Sequence, residues 1–321
     1  MPPSDLTLQI NLSAGDSAYA EQTVPRLVAA HAHVARRIAV VDLCRPQRTR
    51  IFDPSTRLPD PGFSNRVAAI RTLAEQFLAA GIVDELVYLE PDSPRFRTLA
   101  ARYTTAGMTE THDYGGCANM AYWAGIDAPS TRFVLHYDAD ICLYQENNFD
   151  WAAEALRVWE KYPQAVFATP RISPPGFATT PEHDAPSLHE GRPFEPVADG
   201  WLNDWFSTRC FLVDRERLAP HLPLMGGALG WEYRLRRLLD RGYPPGPETL
   251  LFRRLSPRGF KRLNLSDRRA WILHPNTKPL HYLELLPQLL ASVSTGRIPA
   301  AQRGHSEIDL CAWERFLRVS V

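Results

Sequence analysis

Two carboxylates stand one residue apart, Asp138 and Asp140, at the end of the run Phe133-Val134-Leu135-His136-Tyr137. The residues before them read as a buried strand, so both acids leave it at its carboxyl end. Side by side and without a counter-charge, each disfavours ionisation of the other. A divalent cation removes the conflict: Mg²⁺ or Mn²⁺ takes oxygen ligands, keeps waters, and bridges one or two carboxylates to a substrate's phosphates. The plainer alternative is a polar strand end in which Asp140 caps the next turn.

Several elements must position these acids. Residues 6–12, "LTLQINL", alternate apolar and polar positions, and "SAGDSAYAEQ" follows as a turn into a helix running to about Ala35. "RIAVVDLC" is a second strand that ends at Asp42, and "NRVAAIRTLAEQFLAAG" has helical spacing closed by Gly81. "DELVYLEP" is a third strand, "SPRFRTLAARYT" a helix, and "GGCANMAYWAGIDAPSTRFVLHYDAD" a glycine turn, helix, loop and the acidic strand. Strands alternating with helices predict a parallel sheet covered on both faces, with ligands at the carboxyl ends of its strands. Later come a helix in "WAAEALRVWEKYP", a strand in "AVFATP", a strand in "DWFSTRCFLVDRERL", a helix in "GWEYRLRRLLDRGY", and a closing strand and helix in "AWILHPNTKPLHYLELLPQLL". The Pro- and Gly-rich residues 171–200, which hold His183 and His189, read as a lid-like surface loop.

Composition narrows the partners. The 321 residues, 45% apolar, are enough for a packed core, and 36 basic residues balance 36 acidic ones. No net field draws the chain to nucleic acid or an anionic membrane. Five scattered Cys form no C-x-x-C, and no run reaches the ~18 apolar residues of a membrane span. The expectation is a cytoplasmic protein acting on a small partner.

At "LTLQINLSAG", "VVD" (40–42), "ANMAYWAG…FVLHYDAD" (118–140) and "GWEYRLRRLLDRGY" (230–243), the chain resembles the GT-A fold glycosyltransferases, in particular those similar to glycosyltransferase family 2. The resemblance implies an α/β fold of GT-A type, a Rossmann-like mixed sheet with helices on both faces. It divides the chain into a catalytic domain, 1–275, and a C-terminal helical tail, 276–321. Residues 1–145 would be the nucleotide-binding half and 146–275 the acceptor half. The implied activity is transfer of a sugar from a nucleoside diphosphate donor, UDP by default, with Mn²⁺ or Mg²⁺ as cofactor.

The resemblance also assigns roles. Ser13, Ala14, Asp42, Asn119 and Asp138 would face the nucleotide sugar, and Asp138 and Asp140 the metal. A late His would be a third ligand, His274 in preference to His281. Glu232 is the candidate general base and Asp204 its competitor, although Trp231 stands where the family pattern has an acid. Arg66, Arg71 and Lys278 are candidates for the diphosphate, and Trp201, Trp205 and Trp231 for flat faces near the acceptor. Competing readings are a phosphohydrolase of the haloacid dehalogenase type, which also uses D-x-D but near its first strand, a sugar nucleotidyltransferase, which would need a basic loop after that strand, and a non-catalytic binding protein of the same fold.

Overall fold

A computed structural model describes residues 5–90, 93–176, 192–239, 241 and 244–319. Its centre is a nine-stranded sheet. In chain order the strands are β1 (Leu6–Ser13), β2 (Arg36–Asp42), β3 (Glu85–Leu89), β4 (Phe133–Asp138), β6 (Ala165–Thr169), β7 (Glu195–Val197), β8 (Gly200–Asn203), β9 (Cys210–Asp214) and β10 (Lys261–Leu265). In space they run β3-β2-β1-β4-β9-β6-β10-β8-β7. The first four are mutually parallel, and β9 enters antiparallel between β4 and β6. Two further strands, β5 (Cys142–Gln145) and β11 (Ala270–Leu273), pair antiparallel as a separate ribbon. This is an α/β architecture, a mixed sheet with helices on both faces, as the sequence led us to expect.

Alternation along the strands sorts the two faces. Leu6, Leu8, Ile10 and Leu12 of β1 enter one apolar cluster, which also takes Leu135 and Tyr137 of β4. Val134 enters the cluster on the opposite face, with Trp123 and Ala124 of the helix Met120–Asp127. The intervening β1 residues Thr7, Gln9 and Asn11 are buried polar groups. Gln9 donates to Asn11 Oδ1 at 2.9 Å, and its own carbonyl meets His136 Nδ1, while Asn11 Nδ2 has no hydrogen-bond partner among the described residues. A Cβ on Gly125 would lie 2.5 Å from Gln9 Oε1, so a larger residue there would displace the Gln9 side chain from its bonds to Asn11 and His136.

Register brings the strand ends together. Ser13 lies opposite Asp42, and Asn11 opposite Asp138. The ribbon does the same for the later half: Leu273 pairs with Cys142, so His274 continues past Ile141 toward Asp140. Residues after 275 form the helices Leu280–Ser294 and Leu310–Val319, whose Leu286, Leu289, Val293 and Trp313 enter the same core as β1.

The first helix differs from expectation, ending at Ala30 rather than about Ala35, with His31 as its cap. Most of the lid-like loop, with His183 and His189, and the Gly242–Tyr243 pair lie outside the described residues.

Candidate active site

The carboxyl ends of β1 and β2 open onto a cleft of about 440 Å³ lined by Ser13, Ala14, Asp42, Arg66 and His112, among others. Three of the residues expected at the nucleotide thus share one cavity. Asp42 is buried; its Oδ1 accepts the Cys44 amide at 2.9 Å and its Oδ2 lies 3.9 Å from His112 Nε2. Burial pushes its carboxyl above the usual range, with His112 and the Cys44 amide opposing.

Asp138 is held from several sides. Its amide donates to the Arg209 carbonyl at 2.8 Å, the Tyr122 hydroxyl donates to its Oδ2 at 2.8 Å, and His136 Nε2 lies 3.2 Å from Oδ1. Asp140 is buried deeper, and its Oδ2 lies 2.6 Å from Lys278 Nζ and 3.4 Å from His274 Nε2. Burial alone would raise the Asp140 carboxyl, but His274 and Lys278 outweigh it and hold it at about 2. Among the described residues, Asp140 Oδ1 and His274 Nδ1 are buried with no hydrogen-bond partner. Donor atoms of Asp138, Asp140 and His274 do not all lie within 4.8 Å of one another, so a divalent cation shared by the three requires side chains to rotate.

The sequence reading missed Asp16. It sits in the turn after β1, where its Oδ2 accepts the Ser13 amide at 2.6 Å and the Ser13 hydroxyl at 2.9 Å, and its Oδ1 accepts the Tyr19 hydroxyl. Burial, then the nearby charge of Asp140, raises its carboxyl to about 6 against these hydrogen bonds. Its sequence signal is the Ser-x-x-Asp spacing of a reciprocal cap. The Ser13 hydroxyl is therefore already engaged at Asp16.

Other expected residues stand elsewhere. Asn119 is fully buried: its amide donates to the Pro245 carbonyl at 3.1 Å and its oxygen accepts Trp123 Nε1 at 2.8 Å. It braces the loop 244–246 rather than lining the cleft. His281 is exposed in the first turn of the Leu280–Ser294 helix. Arg71 pairs with Glu90 at 3.7 Å and covers the Tyr88 ring. Trp201 is buried beneath Arg171, Trp205 packs on Phe252, and Trp231 is 72% exposed, so the three do not form one surface.

Both candidate bases have cationic partners. Glu232 is engaged at both oxygens, Oε1 by Arg236 at 2.9 Å and Oε2 by Arg253. Asp204 follows β8, which is four positions from β4 in the sheet, roughly 19 Å at ordinary strand spacing. Because β8 runs antiparallel to β10, Asn203 pairs with Arg262 near the start of that strand, and Asp204 departs toward the edge opposite Asp138. It meets Ser256 at 3.1 Å and Arg192 at 3.6 Å.

The acid that does approach the carboxyl edge is Glu248, in the first turn of the helix Pro247–Leu255. Its Oε1 accepts the Thr208 amide at 2.9 Å, one residue before the Arg209 carbonyl that binds Asp138. Tyr122 is close enough to Asp138 and Glu248 that both charges raise its hydroxyl beyond the effect of burial, which is larger. In sequence, Glu248 looks like any acid favoured by a helix N-terminus.

No family model matches this chain, and no curated protein sequence does. Solved structures do align along most of it. The galactosyltransferase LgtC, in complex with donor and acceptor sugar analogs, aligns over 98% of this chain and 96% of its own, at 12% identity and a TM-score of 0.37. Glucosyl-3-phosphoglycerate synthase from Mycobacterium tuberculosis, in complex with Mn²⁺, UDP and glucosyl-3-phosphoglycerate, aligns over 90% of this chain and 77% of its own, at 13% identity and a TM-score of 0.37. Among the described residues, no helix is long and apolar enough to cross a membrane.

Proposed function

We propose that this chain is a metal-dependent glycosyltransferase that moves a sugar, a hexose in the first instance, from a nucleoside diphosphate donor to an acceptor hydroxyl. The observation that carries the reading is the 3.4 Å approach of His274 to Asp140, two residues past the end of β4, which pairs with β1, whose end at Ser13 and Ala14 lines the cleft with Asp42. UDP is the first nucleotide to test.

Asp42, which lines the cleft, would receive the base. Asp138, Asp140 and His274 would hold Mn²⁺ or Mg²⁺, which when bound supplies charge stabilisation for the departing diphosphate. Lys278 and Arg66 would add positive charge along the same edge. Tyr122 and His136 keep the Asp138 carboxylate from turning away. Glu248 would take the proton from the acceptor hydroxyl, a task that requires reach to the acceptor and a free oxygen. Among the described residues, its Oε2 makes no hydrogen bond, whereas both oxygens of Glu232 are occupied.

Calorimetric titration of UDP and GDP, with and without Mn²⁺, tests the donor site. Metal-dependent binding of one nucleotide, lost in Asp140→Ala, is the expected result. Absence of binding under every metal condition would overturn it.

A further inference from the structure

A second cluster of ligating groups lies away from the cleft, where the helix Ala20–Ala30 ends and the helix Trp151–Val158 begins. His31 caps the first helix, His33 follows it, and Asp150 caps the second. His33 Nε2 lies 2.7 Å from Asp150 Oδ2, and His31 Nδ1 lies 3.6 Å from Asp150 Oδ1. One donor atom from each residue falls within 4.8 Å of the others.

Capping alone requires only Asp150, whose Oδ1 accepts the Ala152 amide at 2.9 Å. It does not require a fully buried imidazole beside it. His31 is 0% exposed, its Nε2 is fixed by the Tyr137 hydroxyl at 2.7 Å, and its Nδ1 faces the carboxylate with no hydrogen-bond partner among the described residues. An imidazole whose far nitrogen is oriented by a hydrogen bond while the near one is uncommitted is the usual arrangement of a metal-bound His. Among the described residues, no lysine or arginine forms an ion pair with Asp150; its only such partners are the two histidines.

We propose that His31, His33 and Asp150 bind a divalent transition ion of the zinc type, at a site separate from Asp138 and Asp140. Two imidazoles and one carboxylate favour such an ion over Mg²⁺ or Ca²⁺, which prefer oxygen. Tetrahedral ligands at about 2.1 Å stand about 3.4 Å from one another. The 3.6 Å His31 separation already suits this, and the 2.7 Å His33 contact opens by rotation of a side chain that is one-third exposed. Water would complete the shell. The ion would tie the two helix ends together, and through Tyr137, which also accepts Trp151 Nε1 at 2.6 Å, would brace β4 just before Asp138. The inference does not depend on the glycosyltransferase reading.

The test uses the chelator-treated 321-residue chain titrated with Zn²⁺ by calorimetry, with Co²⁺ absorption reporting ligand geometry. Asp140→Ala serves as the background, so that the cleft is silent. That variant should bind Zn²⁺ tightly and gain thermal stability from it; adding His33→Ala should weaken binding at least tenfold and remove the gain. Because His33 is partly exposed, the double variant is expected to fold, and circular dichroism verifies this. Equal Zn²⁺ affinity with and without His33→Ala, or no Zn²⁺ binding by folded Asp140→Ala, would overturn the proposal.

Discussion

Lys278 Nζ sits 2.6 Å from Asp140 Oδ2, the same oxygen that His274 Nε2 approaches to 3.4 Å. A protein cation therefore already occupies one side of the carboxylate expected to hold the metal. Lys278→Met removes that competitor and should tighten Mn²⁺ binding about tenfold, since a unit charge is lost beside the incoming ion. Asp140→Ala should weaken it more than about 100-fold, beyond the cost of losing an outer-shell partner. Direct Mn²⁺ titration measures both, and weaker Mn²⁺ binding by Lys278→Met would show that the lysine supports the site instead.

Glu248 and Glu232 separate by kinetics. Glu248→Gln should lower kcat by about 10²- to 10⁴-fold, the range for losing a positioned base, with UDP affinity unchanged. Glu232→Gln should alter kcat only a few-fold while lowering the unfolding midpoint, because its two arginine partners lose their counter-charge. The reverse pattern would return the base to Glu232.

Asn119 tests bracing against ligation. Asn119→Ala leaves the buried Trp123 indole N–H without its acceptor and frees the Pro245 carbonyl, a loss of about 1–3 kcal/mol. Denaturant unfolding should show this, and UDP affinity should stay within a few-fold of wild type. A large loss of UDP affinity at full stability would place Asn119 on the nucleotide.

Asp16 and Asp140 titrate in opposite senses. Burial, and then Asp140, raises Asp16 to about 6, above its unfolded value of ~3.9, so its contribution is intact below that unfolded value and is lost as pH rises through 6. Asp140 is held at about 2 by His274 and Lys278 against burial, so its contribution is present above ~3.9 and is lost as pH falls through 2. Asp16→Asn should therefore gain stability relative to wild type between about pH 4 and pH 6, by no more than about 2 kcal/mol because solvent reaches part of the side chain. Urea unfolding at both ends of this window decides it; a constant difference between the two proteins would refute the assignment.

Arg262 is fully buried in β10, and its Nε, Nη1 and Nη2 have no hydrogen-bond partner among the described residues. Burial lowers its pKa to about 10, with Glu248 opposing. Replacing an uncompensated buried charge by an apolar side chain of similar length commonly stabilises, by about 1–4 kcal/mol. Arg262→Met should raise Tm, and a lower Tm would reveal a partner that the charge requires.

Much of the first 145 residues was legible because the signals there are local. Strands β1 to β4 are short apolar runs closed by turn residues, and each apolar run specified its own burial and its own end. The carboxylates of Asp42 and Asp138 could be placed at strand termini on that basis. The later strands were less readable. "KRLNL" forms the interior strand β10 although Arg262 and Asn264 interrupt its apolar pattern, and "GWLN" is too short for alternation to show.

The sequence by itself determined the alternation of strands and helices, the acidic end of β4 and the cleft residues nearest to it, because backbone periodicity and turn chemistry act over a few residues. Tertiary structure decided which distant groups meet there. Pairing of Leu273 with Cys142 delivers His274, and with it Lys278, to Asp140. The segment from Asp204 to Arg209 carries the chain back to β9, and Thr208 in it holds Glu248 next to the Arg209 carbonyl that binds Asp138. These choices depend on strand order and register, set by contacts between residues far apart in the chain, from the 40 positions between Thr208 and Glu248 to the 131 between Cys142 and Leu273.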